Sequence, residues 1–149
     1  GETDAQVALK VVAARRDGLI PVICVGETLE ERRAGRVDEV ILRQLAAAVQ
    51  ALKGGEGRFL VAYEPVWAIG TGETATPEDA AAAHATLRAE LESTIGIAAA
   101  LRTPLLYGGS VNAANAADLL AAAEVDGVLV GGASLDAMSF TGIAAAGAG

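Results

Sequence analysis

In the run RFLVAYEP, residues 58–65, the stretch from Phe59 to Tyr63 is apolar and leads to one carboxylate, Glu64. An acid at the end of a buried strand has two readings. It can act as a general base on a proton brought within reach, or it can cap a neighbouring helix or pair with an arginine; position alone favours neither. The residues after it are unusual for a plain connection. Pro65 stiffens the start, Val66 and Trp67 add bulk, Ala68 and Ile69 lead to a tip at Gly70, Thr71 and Gly72, and Thr76-Pro77 ends the segment at a helix start. Trp67 is the chain's single tryptophan. Such a loop reads as a lid, and a lid beside a base keeps water from a reactive intermediate. An ordinary connecting loop is the plainer alternative.

Three other strand ends carry polar or glycine-rich turns: Gly26-Glu27-Thr28, Gly108-Gly109-Ser110 and Gly131-Gly132-Ala133-Ser134. Consecutive glycines let backbone N–H groups approach a ligand closely. Two such turns in successive positions suit a phosphate or another small anion; simple tight turns are the alternative. Cys24, the only cysteine, reads as a buried packing thiol because no basic partner stands beside it. His84, the only histidine, falls in mid-helix on the apolar side and reads as structural. The charged run ETLEERRAGR, 27–36, reads as a solvated helix face, with Glu27 placed to orient neighbouring site groups.

These residues must be positioned by the elements around them. Four apolar runs, LIPVICVG (19–26), RFLVAYEP (58–65), TPLLYGG (103–109) and DGVLVGG (126–132), lack clean alternation, as strands buried on both faces do. Each precedes a helical pattern. Thr3 with Gln6 and Thr28 with Glu31 are capping-box pairs. Ala8, Val11 and Val12 share a face of the first helix, which stops near Gly18. Helix 37–52 carries Val37, Val40, Ile41, Leu45, Ala48 and Leu52 on one stripe. Thr76 caps a helix bearing His84, Leu87, Leu91 and Ile95 and ending at Gly96. Asn112 is placed to cap a helix at 113–122, and a last helix starts near Asp136. The predicted order is one helix followed by four βα units, an α/β single domain over 1–149 with a parallel sheet. A doubly wound sheet and a barrel both fit that order. A (β/α)8 barrel takes eight strands, so the expectation is a partial TIM (β/α)8 barrel.

Composition narrows the partners. The chain has 149 residues, 52% of them hydrophobic, and a formal net charge of -8. That charge disfavours nucleic acid and anionic membranes as partners, yet permits a small anion held by backbone N–H groups. One cysteine allows no internal disulfide and fits a reducing compartment. No run approaches the roughly 18 apolar residues of a membrane span, and GETDAQVALK is no signal peptide. The expectation is a soluble, cytoplasmic protein without a zinc-type cysteine cluster.

The segments AYEPVWAIGTG, TATPEDA, PVICVGETLEERRAG (21–35), LYGGSV (106–111) and DGVLVGGASL (126–135) together resemble the triosephosphate isomerase family, in order and over nearly the whole chain. The resemblance corresponds to the C-terminal three-fifths of that family's barrel. It implies Glu64 as the carboxylate that shuttles a proton between two carbons of a triose phosphate. It implies Gly70, Ser110, Gly131 and Gly132 as phosphate contacts, Tyr107 as the residue that holds the lid shut, no cofactor, and a homodimer. The family's electrophilic histidine and substrate lysine correspond to strands outside this sequence, since Lys10 and Lys53 fall in helices. The isolated chain is therefore expected to be nearly inactive. Two alternatives remain: another phosphate-binding barrel enzyme sharing only the glycine turns, and a non-catalytic half-barrel that self-associates through its open edge strands.

Overall fold

Helix starts follow the hydroxyl residues. A computed structural model of the chain describes residues 1–52, 57–71 and 73–148. Helix α1 (Asp4–Arg16) begins at a capping box in which Thr3 accepts from the Gln6 N–H and Gln6 accepts from the Thr3 N–H. The same device, with Thr28 and Glu31, starts α2 (Leu29–Arg33), and α3 (Val37–Ala51) follows. A third box, Thr76 with Asp79, starts α4 (Pro77–Ile95), with Pro77 at the first helical position. Gly96, at φ +84°, ends α4 and turns the chain into the short α5 (Ile97–Ala100). The last helices are α6 (Ala116–Leu120) and α7 (Ala137–Ala146), the latter capped by Asp136.

Between them lie β1 (Val22–Val25), β2 (Leu60–Tyr63), β3 (Leu105–Tyr107) and β4 (Gly127–Val128). They form one four-stranded parallel sheet in sequence order. Register aligns Val25 with Tyr63, Tyr63 with Tyr107, and Tyr107 with Val128. The next residues along, Gly26, Glu64, Gly108 and Leu129, therefore stand side by side at the carboxyl edge. Ile23, Val25, Val61, Tyr63, Leu105 and Tyr107 point to the helices and join Ile41, Leu45, Leu87 and Leu91 in the core.

Several expectations need correction. Strand β1 is buried on one face only: Ile23 and Val25 are covered, while Val22 and Cys24 are exposed. Cys24 is therefore not a buried packing thiol. Val12 is also exposed, leaving Val11 as the buried residue of α1. The helix expected from 113 begins only at Ala116. The Asn112 carboxamide oxygen instead accepts from the N–H groups of Ala114 and Asn115, at 2.9 and 3.2 Å, in a turn that precedes it. Of the fourth apolar run, only Gly127 and Val128 pair as strand. Gly72 and Lys53 lie outside the described residues.

Candidate active site

Glu64 is fixed by its neighbours on both sides. Its N–H donates to the Val25 carbonyl at 2.7 Å. Its own carbonyl lies so close to Gly26 that a Cβ there would sit 1.8 Å from the oxygen. Gly26 is held in turn by Gln44 of α3, which accepts from its N–H at 2.8 Å and donates to its carbonyl at 3.2 Å. On the other side a Cβ on Gly108 would meet Glu64 Cγ at 2.6 Å. Both glycines are thus required by close approach, not by turn conformation. Across β1 stands Cys24. Partial desolvation, and then the neighbouring Glu64 carboxylate, push its thiol up to about 12.

The segment after Glu64 starts as a single 3-10 turn, Val66–Ala68, not as open loop. Trp67 anchors it. The indole N–H donates to Glu27 at 2.8 Å. Glu27 is fully buried and also accepts from the Tyr63 hydroxyl, at 3.1 and 3.0 Å to its two oxygens, and from Arg32 at 3.2 Å. Burial, followed by the adjacent Glu27 carboxylate, raises the Tyr63 phenol well above its ordinary value. Glu27 is the one member of its charged run expected to orient other groups; its complete burial departs from the solvated face expected of the run. Further on, Ile69 is exposed, Gly70 adopts φ +67° at the exposed tip, and the Thr71 hydroxyl donates to the Trp67 carbonyl at 2.8 Å. The loop's far end is held where the buried Tyr107 hydroxyl accepts from the Ala75 N–H at 3.3 Å.

Glu64, Gly70, Ser110, Gly131 and Gly132 all line one cleft of about 480 Å³ at the carboxyl edge of the sheet. Three strand ends and the loop tip therefore converge. Ser110 is engaged with the loop in this conformation: its N–H and hydroxyl both donate to the Ala68 carbonyl, at 3.1 and 2.6 Å. Binding an anion through Ser110 would exchange those bonds. A depression at the opposite end of the strands, lined by Arg58, Phe59, Ile95 and Arg102, gathers no carboxylate and lies away from Glu64. Among the described residues no three His, Cys, Asp or Glu side chains converge as metal ligands.

His84 is remote from the cleft. It is buried in α4, its Nδ1 3.0 Å from the Glu124 carbonyl and its ring edge-on to Tyr63 at 6.1 Å. Two arginines that matter escaped the sequence. Arg88, buried on α4, donates to the carbonyls of Ala100 and Thr103 and to Glu124 and Asp126. Arg32 bridges Glu27 and Asp79. Nothing in a single sequence separates these from solvated arginines, because their partners are up to 47 positions away. The one available signal was the placement of Arg88 one residue beyond Leu87 on the apolar side of its helix.

A parallel βα array whose strand ends feed a single cleft is the arrangement of a (β/α)8 barrel, and the fold assigns the chain to that class as a part of one. Comparison with known proteins narrows the class. The family model described as triosephosphate isomerase matches residues 1–147. Triosephosphate isomerase of Delftia acidovorans is 58% identical over 146 residues, covering 98% of this chain and 58% of the relative. Those of Paracidovorax citrulli and Alcanivorax borkumensis are 57% and 56% identical, covering 99% and 96% of the chain and 58% of each relative. The chain belongs to the triosephosphate isomerase family and spans rather more than half the length of these relatives.

Proposed function

We propose that this chain supplies the base, the lid and the phosphate turns of a triose-phosphate isomerase, which interconverts dihydroxyacetone phosphate and glyceraldehyde 3-phosphate. The observation that carries this is the convergence of Glu64 with Gly70, Ser110, Gly131 and Gly132 on one cleft. In this reading Glu64 takes the carbon-bound proton beside the substrate carbonyl. The electron pair moves onto the carbonyl oxygen to give an enediolate, and the same carboxyl returns the proton at the neighbouring carbon. Gly70, Ser110, Gly131 and Gly132 contact the phosphate. Pro65, Val66, Trp67, Ala68, Ile69, Thr71 and Gly72 form the lid, and Tyr107 secures its far end. Phosphate binding drives closure, so remote binding energy serves the chemistry. The groups that stabilise the enediolate oxygen are not among the residues of this cleft, and each such group is worth on the order of 100- to 1000-fold. The 149-residue chain alone is accordingly read as nearly inactive.

The test is Glu64→Gln in the full-length protein. We expect kcat to fall on the order of 1000-fold with KM within a few-fold; a variant of undiminished kcat removes Glu64 from the role. The 149-residue chain should gain activity only when the part of the relatives' length that it does not span is supplied. A cytoplasmic homodimer serving glycolysis and gluconeogenesis is the setting this reading implies. Among the described residues no helix is long and apolar enough to cross a membrane.

A second reading rests on the uncovered side of β1, where Leu19, Ile20 and Val22 are exposed. These residues suit self-association of a non-catalytic half-barrel through its edge strands. A chain that sediments at twice its mass, and stays silent when complemented, favours it.

A further inference from the structure

We infer that Arg32 is a positioning residue that ties both ends of the loop 65–76 together and thereby sets how the loop closes over the cleft. Arg32 lies in the last turn of α2, and its side chain is mostly buried, 24% exposed. One arm of the guanidinium donates to the buried Glu27 carboxylate at 3.2 Å. Its central carbon lies 4.8 Å from the centre of the Trp67 ring, over the start of the loop. Its other arm forms an ion pair with Asp79.

Asp79 belongs to the loop's far end. It accepts from the Thr76 N–H at 3.1 Å, while its own N–H donates to the Thr76 hydroxyl at 3.1 Å. Glu27 belongs to the near end, since it also accepts from the Trp67 indole at 2.8 Å. One planar cation therefore spans the two hinges, with the permissive Gly70 between them. A hinged lid needs ends that hold while the tip moves. A flat fork with several donors can bridge two carboxylates and lie on an indole at once; the single ammonium of lysine cannot. The tie stands on geometry alone, whereas its effect on turnover rests on the isomerase reading.

The experiment uses the full-length protein containing 5-fluorotryptophan, with the Trp67 resonance assigned by its loss in Trp67→Phe. Arg32→Lys keeps the charge beside Glu27 but loses the bridge. Asp79→Asn removes the outer partner yet keeps an oxygen for the Thr76 N–H, so it decides the matter even where the Arg32 variant folds poorly. Arg43→Lys, in an exposed pair with Asp4 far from the cleft, is the control. We expect each of the first two variants to shift and broaden the Trp67 resonance. Each should lower kcat/KM for triose phosphate roughly tenfold, with kcat and KM changing together. The double variant should be little worse than either single one, because both break one tie. A lowered Tm with an unmoved resonance and unmoved kinetics overturns the proposal, and so do effects that simply add. Should the wild-type protein lack isomerase activity, the function proposed above fails, while the resonances still decide the tie.

Discussion

At the scale of single residues, Gly108 is the most direct control on the base. A Cβ there would lie 2.6 Å from Glu64 Cγ and 3.1 Å from its Oε1. The carboxylate is the movable partner, so Gly108→Ala should displace it and leave the fold standing. A misplacement near 1 Å costs on the order of 100-fold in rate. We expect that loss in kcat/KM, with a Tm close to wild type. His84 offers a stability test. Burial lowers its pKa, and its Nε2 has no partner among the described residues. The native state then resists protonation while the unfolded chain accepts it, so the unfolded state binds more protons as pH falls below about 6.5. Stability should be unaffected above that pH and decline through the window below it. Denaturant titrations across the window, with His84→Asn as the control that removes this component, check it. Glu64, Gly70 and the paired glycines were legible because an acid at a strand end and glycine beside glycine break the surrounding pattern. The exposure of Cys24 was not legible, nor were the Ser110 bonds to Ala68, because both depend on neighbours far along the chain.

At the scale of elements, the capping boxes and apolar stripes set the helices, and they were readable because both are local. The ties between elements were not. Arg88 of α4 reaches two backbone carbonyls, those of Ala100 and Thr103, and the Asp126 carboxylate before β4, and Asp126 also accepts from the Leu105 N–H of β3 at 2.8 Å. One side chain thus holds a helix against two strands. Arg88→Met takes a donor from the Ala100 and Thr103 carbonyls and from the Glu124 and Asp126 carboxylates, although Ala100 keeps the Thr103 N–H and Asp126 keeps the Leu105 N–H. Removing one partner of a fully buried pair costs about 3–5 kcal/mol, but Glu124 and Asp126 are 43% and 45% exposed, which weakens the charge term. We expect a loss of about 2–3 kcal/mol, measured from the urea midpoint at unchanged slope. The late start of α6 has a similar lesson. Asn112 does cap backbone N–H groups as its residue type predicts, but it caps a turn, and the choice between turn and helix rests with the packing of the residues after it.

At the scale of the molecule, element order and parallel pairing were the readable part. One helix and then βα repeats permit few parallel arrangements, and the sheet follows sequence order. Burial on both strand faces was over-read for β1, because a near-continuous apolar run states that a strand is meant to be covered and not which element covers it. The core has another consequence, concerning light absorption at high pH. The chain's two tyrosines, Tyr63 and Tyr107, are fully buried, and burial raises both phenols above their ordinary value. Folding therefore favours the neutral phenols, a contribution complete below about pH 10 and lost as the pH climbs toward the raised values. Phenolate absorbance should stay low through the range in which free tyrosine ionises, then rise for both rings together as the sheet comes apart. An alkaline spectrophotometric titration of this chain would record that as one cooperative step; a gradual rise beginning near pH 10 would show at least one ring open to water.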